Sequence, residues 1–353
     1  MINALFAPDW RDGVPYQRLL AEALYDRGVN VTFVRNYRRV LPLARLVRMY
    51  QKPGSRNVLH LHWPEAYYPS KGDRWDLFRF ARYPLDLALA RIGRAFVVTA
   101  HNLHAHNRPS EPFAFRNTRA SFQQAQITIA HSVPAKTEIE QLFGVPAQRI
   151  RVIPHGDLSV AIGAPLPRAE ARRALGFGSE KLVLMFGAVE PYKGIEEIVD
   201  FWRDHRPEAT LIVTGRPNTA AYGAELAARA SGVARLQFRP GWLSDEHLQQ
   251  WLSAVDCVVF NYRSIFTSGA ACLARSYGIP ILLPSRLKTV ALDEPHPTVF
   301  RFEDLPRDFE RKLGEALDAP PDYESAAAWR EATAWPKIAE VTASAYEDAI
   351  RAR

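Results

Sequence analysis

Short apolar runs rich in β-branched and aromatic residues alternate with stretches of helical period along almost the whole chain. The runs at Ala4 to Ala7, Val31 to Val34, Val58 to His62, Phe96 to Ala100, Ile127 to Ala130 and Arg151 to Ile153 predict one series of strands. A second series is predicted at Leu182 to Phe186, Thr210 to Thr214, Leu236 to Phe238, Cys257 to Asn261, Ile281 to Leu283 and Val299 to Phe302. Continuous apolar runs joined by helical crossovers are the pattern of parallel, doubly wound α/β sheets, whose strands are buried on both faces. Between the series, Ala161 to Arg168 (AIGAPLPR) mixes Gly and Pro without periodicity and reads as a linker. This predicts an N-terminal Rossmann-like domain over 1–160 and a C-terminal one over 169–335. The chain ends in a helix, 336–353, entered at Trp335-Pro336. Ile338, Val341, Tyr346 and Ile350 lie roughly on one face of it, so it is expected to pack back on the first domain.

Length agrees with this division: 353 residues exceed what one hydrophobic core supports, and two domains of roughly 150 to 180 residues are expected. With 47% hydrophobic and 24% charged residues the composition is that of a globular protein. Cys257 and Cys272 lie in apolar runs and are too few for a disulfide framework, which points to a reducing compartment. The opening MINALFAPDW has no basic stretch followed by a long apolar run, and no apolar stretch approaches ~20 residues, so neither export nor a membrane span is expected. The net charge is +7, and between Arg35 and Arg56 there are seven basic residues and no acidic one.

In open parallel sheets ligands bind beyond the carboxyl ends of the strands, where loops and helix N-termini expose N–H groups. In the first half those ends carry APDWRDG (Asp9, Trp10, Arg11, Asp12), LHLHWPE (His60, His62, Trp63, Glu65), TAHNLHAHN (His101, Asn102, His104, His106) and AHS (His131). In the second they carry FGAVEPYKG (Gly187, Glu190, Lys193), VTGRP (Gly215, Arg216), RPGW and NYRSIFTSG (Arg263, Thr267, Ser268, Gly269). Seven of the ten histidines precede residue 156. HNLHAH raises a zinc site, but it lacks an acidic partner, a nearby cysteine and the His-Glu-x-x-His order, so no metal is expected.

The order HNLHAH, AHS, VIPHG, FGAVEPYKG, VTGRP and YRSIFTSGAACLARSYGIPI resembles nucleotide-sugar glycosyltransferases of the GT-B fold over nearly the whole chain. APDWRDGVPYQ with LHLHWPE is most similar to bacterial exopolysaccharide β-mannosyltransferases and glucuronosyltransferases that act on lipid-linked oligosaccharides. The resemblance implies two Rossmann-like domains about a cleft, the first binding acceptor and the second donor. It implies no cofactor, a GDP- or UDP-type nucleotide sugar as donor and a polyprenol-diphosphate-linked glycan as acceptor. One departure stands out. Many members of this clan place two glutamates eight positions apart across the phosphate-holding turn, where this chain has Ile265 and Leu273. A frequent arginine in the preceding strand-end loop is also missing, with Ala188 and Glu190 there and Lys193 retained.

Without a metal, the departing diphosphate needs cations and N–H groups, and inversion needs a base for the acceptor hydroxyl. Lys193 and Arg263 are the candidate cations, with the amides and hydroxyls around Thr267, Ser268 and Gly269 beside them. Gly187, Glu190, Gly215 and Arg216 complete the donor set. A capping lysine and a structural ion pair are the alternative roles for Lys193 and Arg263. For the base, Asp12 is favoured because Gly13 permits an exposed tight turn, with Glu65 and His101 as alternatives; Asp12 as a helix N-cap is the competing structural role. Asp9, Trp10, Arg11, His62, Trp63, Asn102 and His104 are the expected acceptor contacts. The basic, apolar stretches Arg35 to Arg56 and Arg74 to Phe96 suit an anionic membrane surface, placing the protein peripherally on the cytoplasmic face of the plasma membrane. Another GT-B-architecture enzyme such as a sugar-nucleotide epimerase is one alternative. A nucleic-acid-binding protein is another, but no groove-reading motif or single-strand platform accompanies the charge, so no nucleic acid is expected.

Overall fold

The computed structural model describes residues 1–34, 41–50, 54–68, 75–103, 112–288 and 296–353. They form two compact units, Met1–Gly156 with Thr333–Arg353, and Asp157–Ala332. Each contains one parallel six-stranded sheet.

In the first unit the strands are β1 (Ile2–Ala7), β2 (Val29–Phe33), β3 (Arg56–Leu61), β4 (Ala95–Thr99), β5 (Ile127–Ala130) and β6 (Ile150–Val152), in the spatial order β2-β1-β3-β4-β5-β6. Asn3 is buried in β1, where an amide needs partners. It finds them in register: its Nδ2 donates to Asn57 of β3 at 3.0 Å, and Asn30 of β2 donates to its Oδ1 at 3.0 Å. The helix Trp335–Arg351 belongs to this unit and starts with Pro336 in its first turn, where a missing N–H costs nothing. Its buried side carries Ile338, Thr342, Ala345, Tyr346 and Ala349. Val341, expected on that side, is 46% exposed, because at 100° per residue it sits about 85° from the centre of the buried stripe.

The second unit orders β7 (Leu182–Phe186), β8 (Thr210–Gly215), β9 (Leu236–Pro240), β10 (Cys257–Val259), β11 (Ile281–Pro284) and β12 (Val299–Phe302) as β12-β11-β10-β7-β8-β9. Trp202 anchors its core, fully buried, with the indole N–H donated to Ala209 O at 3.0 Å. Both cysteines are buried. The order in which successive strands are added reverses between β1 and β3 in one sheet and between β7 and β10 in the other, while all strands stay parallel. At such switch points neighbouring loops part and leave a crevice at the carboxyl edge. The residues that follow β1, β3, β7 and β10 are therefore placed for ligands.

Candidate functional site

In the first unit the carboxyl edge holds a cluster of aromatic and imidazole rings. The helix Pro15–Tyr25 begins directly after the β1 turn and buries Tyr16. The rings of His101, His155, His131, His62 and Trp335 lie around Tyr16 at centroid distances of 4.9, 4.9, 5.7, 5.9 and 5.4 Å. Each histidine stands at the end of a different strand, so parallel packing alone draws them together. Trp63 stacks on His101 at 4.3 Å and on Trp10 at 4.6 Å. His62 Nδ1 is 3.3 Å from His101 Nε2, and His60 bridges Tyr346 Oη and Thr99 Oγ1 at 2.7 Å each. His131 Nδ1 donates to the Ile153 carbonyl at 2.9 Å, which leaves Nε2 as a lone pair. That atom and His62 Nε2 are buried without a protein partner.

Burial keeps these imidazoles neutral. His60 and His131 are pushed down to about 3 by desolvation, helped by the nearby His131 and His155 respectively, and burial holds His62 and His101 well below the usual histidine range. Among the described residues no group of three or more His, Cys, Asp or Glu is arranged to hold a metal.

Around this cluster the structure brings together most of the first-half residues named from the sequence. Asp9 holds Arg11 in a fork, Nε to Oδ1 at 2.9 Å and Nη2 to Oδ2 at 3.1 Å, and the guanidinium lies 3.8 Å from the Phe33 ring centroid. Asn102 Nδ2 donates to Glu65 Oε1 at 3.1 Å. The Glu65 carboxyl is packed within protein, and burial raises it to about 7 against the opposing pull of its own backbone N–H and Asn102. Asp12 is exposed on the turn after β1, and it does not cap the helix: the N-cap is Val14, with no side-chain bond. His104 and His106 lie outside the described residues.

In the second unit the turns after β7, β8 and β10 interlock through glycines. A Cβ on Gly215 (φ 143°) would lie 1.8 Å from Gly187 O, so the two backbones touch there. Gly194 (φ 59°) would likewise drive a Cβ to 2.5 Å from Asn261 O. Asn261 Nδ2 ties the β10 turn to the β7 turn through Gly194 O at 2.8 Å and Glu197 Oε2 at 3.0 Å. Lys193 is buried rather than solvated, its Nζ donating to Phe186 O at 3.0 Å beside a cavity of about 10 Å³ lined by Gly187, Thr214 and Tyr262. Desolvation lowers its ammonium to about 8, with Glu190 opposing the shift.

The helix Gly269–Ser276 is capped by Ser268, whose Oγ accepts from Ala271 N at 3.1 Å and lies 3.1 Å from Tyr262 Oη. The cap uses the third N–H of the first turn. The N–H groups of Ser268, Gly269 and Ala270 are left without an intrahelical partner, the expected Ser268 and Gly269 with Ala270 added. Thr267 Oγ1 is buried there without a protein partner. Arg263 is committed to carboxylates: it reaches Glu197 Oε1 from Nε and Nη2 at 3.0 and 2.9 Å, and Glu196 Oε2 at 3.3 Å. Its alternative role, the ion pair, is the one observed. Arg216 is exposed, and its carbonyl accepts from Val189 N at 2.9 Å.

Tyr16, His155 and Trp335 are central to the first cluster and were not singled out as site residues. Their signal was position: Tyr16 opens the helix after β1, and His155 follows β6 as His101 and His131 follow β4 and β5.

Two parallel six-stranded sheets of this topology, with their polar residues gathered at the carboxyl edges, are the arrangement of the GT-B fold, the fold of the solved glycosyltransferases to which this chain is similar. Residues 14–157 match the model of Glycosyltransferase Family 4. The chain is similar to the GDP-mannose:glycolipid 4-beta-D-mannosyltransferase of Xanthomonas campestris pv. campestris, 26% identical over 246 residues; the match spans 67% of this chain and 64% of that relative's length. Among solved structures, the sucrose-phosphate synthase of Thermosynechococcus elongatus superposes with a TM-score of 0.77 at 18% identity, covering 100% of both chains. Anabaena Alr3699/HepE in complex with UDP and glucose superposes with a TM-score of 0.68 at 15% identity, covering 98% of both.

Proposed function

We propose that the protein transfers a sugar, mannose or glucuronic acid, from a GDP- or UDP-type nucleotide sugar to a lipid-linked oligosaccharide in exopolysaccharide assembly, with inversion and without a metal. The observation that carries the proposal is the β7/β10 switch point, where buried Lys193 and the Ser268-capped helix start lie on adjoining turns. A buried ammonium and open N–H groups form a site for a diphosphate. The relative named for GDP-mannose and a glycolipid, and the neighbour that holds UDP and glucose, support the donor class and a glycolipid acceptor.

Glu65 is the base in this scheme. A carboxyl held near pH 7 is half ionised where the reaction runs, and Asn102 orients it. The Trp10–Trp63 stack offers flat apolar faces to an acceptor sugar, and the lone pair of His131 Nε2 can accept from a hydroxyl. Glu65 takes the acceptor hydroxyl proton as its oxygen bonds to the anomeric carbon. The bond from that carbon to the phosphate oxygen breaks, and the diphosphate leaves onto Lys193 and the Gly269 and Ala270 amides. Purified protein is tested with GDP-mannose, UDP-glucuronic acid and a polyprenol-diphosphate oligosaccharide. A labelled, lengthened glycolipid supports transfer, whereas an altered sugar formed from donor alone points to an epimerase.

A further inference from the structure

The amino edge of the first sheet, where β5 and β6 begin, carries a cleft of about 530 Å³ that the transfer scheme does not use. Helices Asp76–Arg91, Pro112–Gln124 and Trp335–Arg351 bring their last turns to it, and Arg91, Gln124, Gln148, Arg149, Arg151 and Asp348 are among its lining residues. Asp348 is the one acidic side chain among the described residues that line it, against three guanidiniums. It is also shared, accepting from Arg151 Nη2 at 3.0 Å and from Arg351 Nη2 at 2.5 Å. Each lining guanidinium is held on one side. Arg91 Nη1 donates to Gln124 Oε1 at 2.8 Å, Arg149 Nη1 to the Gln123 and Ala125 carbonyls at 3.1 and 3.2 Å, and Arg151 Nη1 to the Gln148 carbonyl at 2.9 Å. A guanidinium carries five N–H groups. Those of Arg91 and Arg149 meet neutral oxygens through Nη1 alone among the described residues, which leaves the Nε and Nη2 edge of each unspent. Cations at helix C-termini ordinarily cap the last carbonyls, and Arg149 does so at the end of Pro112–Gln124. Arg91 does not: its bond goes to a side-chain amide, its Nε is buried without a protein partner, and desolvation lowers it from the usual arginine range. A buried N–H on a charged group calls for an acceptor.

We propose that this cleft binds a phosphate monoester of a sugar or nucleoside, with the phosphate on the open edges of Arg91 and Arg149 and the hydroxyls on the amides of Gln124 and Gln148. Charge selects an anion, and the planar fork of a guanidinium matches a pair of phosphate oxygens. Because each arginine is already fixed by a protein partner, little side-chain freedom is lost when the anion enters. Size selects the class: a volume of about 530 Å³ suits a small organic molecule, whereas a bare phosphate would leave the glutamine amides unused. The site stands on the first unit alone and does not depend on the transfer scheme or on Lys193.

The test is calorimetric titration of the full chain with mannose 1-phosphate and with guanosine monophosphate, in the wild type and in Lys193→Ala, which disables the proposed donor site. At least one of the two is expected to bind both proteins equally, and the tighter one identifies the source of the phosphate. Arg91→Gln, at a position that bonds no backbone group through its side chain, should weaken that binding about tenfold or more, and Gln148→Ala should weaken it about threefold. GDP or UDP binding should be unchanged in both variants, and an unchanged melting temperature shows that they fold. Arg91→Lys, which keeps the charge, should recover part of the loss. Absence of heat with either monoester in the wild type, or binding that Lys193→Ala removes and Arg91→Gln leaves intact, overturns the site.

Discussion

Acid should unfold the first unit well before it touches an ordinary domain, because the imidazoles packed around Tyr16 cannot accept protons where they stand. Histidine in an unfolded chain titrates at 6.5, whereas His60 and His131 titrate at about 3 when folded. A folded value below the unfolded one means that the unfolded chain binds more protons as pH falls. The stability these neutral rings contribute is present above pH 6.5 and is lost progressively from there down towards pH 3. At pH 5 each of the two costs about 2 kcal/mol, the linkage integral over 1.5 pH units, or about 4 kcal/mol together. His62 and His101 shift the same way and add to the loss. Domains are stable by only about 5–15 kcal/mol, so this is a large fraction. Urea titrations at pH 7 and pH 5, followed by circular dichroism with hydrogen exchange to locate the unfolding, should show a midpoint lower by about 1.5–2 M at pH 5 for helix Pro15–Tyr25 and strands β3 to β5. His131→Asn should reduce that difference. A midpoint unchanged between the two pH values would refute the reasoning.

Other consequences are as definite. Lys193→Ala should weaken GDP or UDP binding about 10- to 150-fold by calorimetry, the worth of a charged hydrogen bond, and wild-type affinity should fall as pH rises through about 8, where the ammonium is lost. Glu65→Gln should stop transfer with nucleotide binding intact, and the wild-type rate should rise with pH through about 7 as the carboxyl ionises. Asp12→Asn should leave turnover within about threefold, since Glu65 supplies the base in the proposed scheme and Asp12 is exposed on its turn; a collapse of rate in that variant would return the base to Asp12. Gly215→Ala should lower the melting temperature by about 5–10 °C, because its methyl collides with Gly187 O.

Much of the architecture could be read from hydrophobicity alone. All twelve predicted strands correspond to strands in the structure, since a parallel strand buried on both faces leaves a continuous apolar run that no loop imitates. Their ends were less legible: β9 continues to Pro240, past the apolar run, because ladder pairing with β8 carries on to Gly215. The strand-end rule found the turns that hold His62, His101 and Lys193. It could not rank the carboxylates, because Asp12 and Glu65 differ in burial, and burial is set by the Asn102 loop and its neighbours, far away in sequence. Arg263 looked like a free cation for a similar reason, since Glu196 and Glu197 lie more than sixty residues before it. The buried side of helix Asp76–Arg91 was hidden by ambiguity of face: Phe78 and Phe80 are equally apolar, and only packing shows that Phe80 is core and Phe78 is surface.

The central claim is that the second unit holds the donor diphosphate at the β7/β10 switch point. Crystals soaked with UDP or GDP test it most directly. The diphosphate is predicted within hydrogen-bonding distance of Lys193 Nζ and of the Gly269 and Ala270 amides. Clear density for the nucleotide anywhere else on the protein would contradict the account.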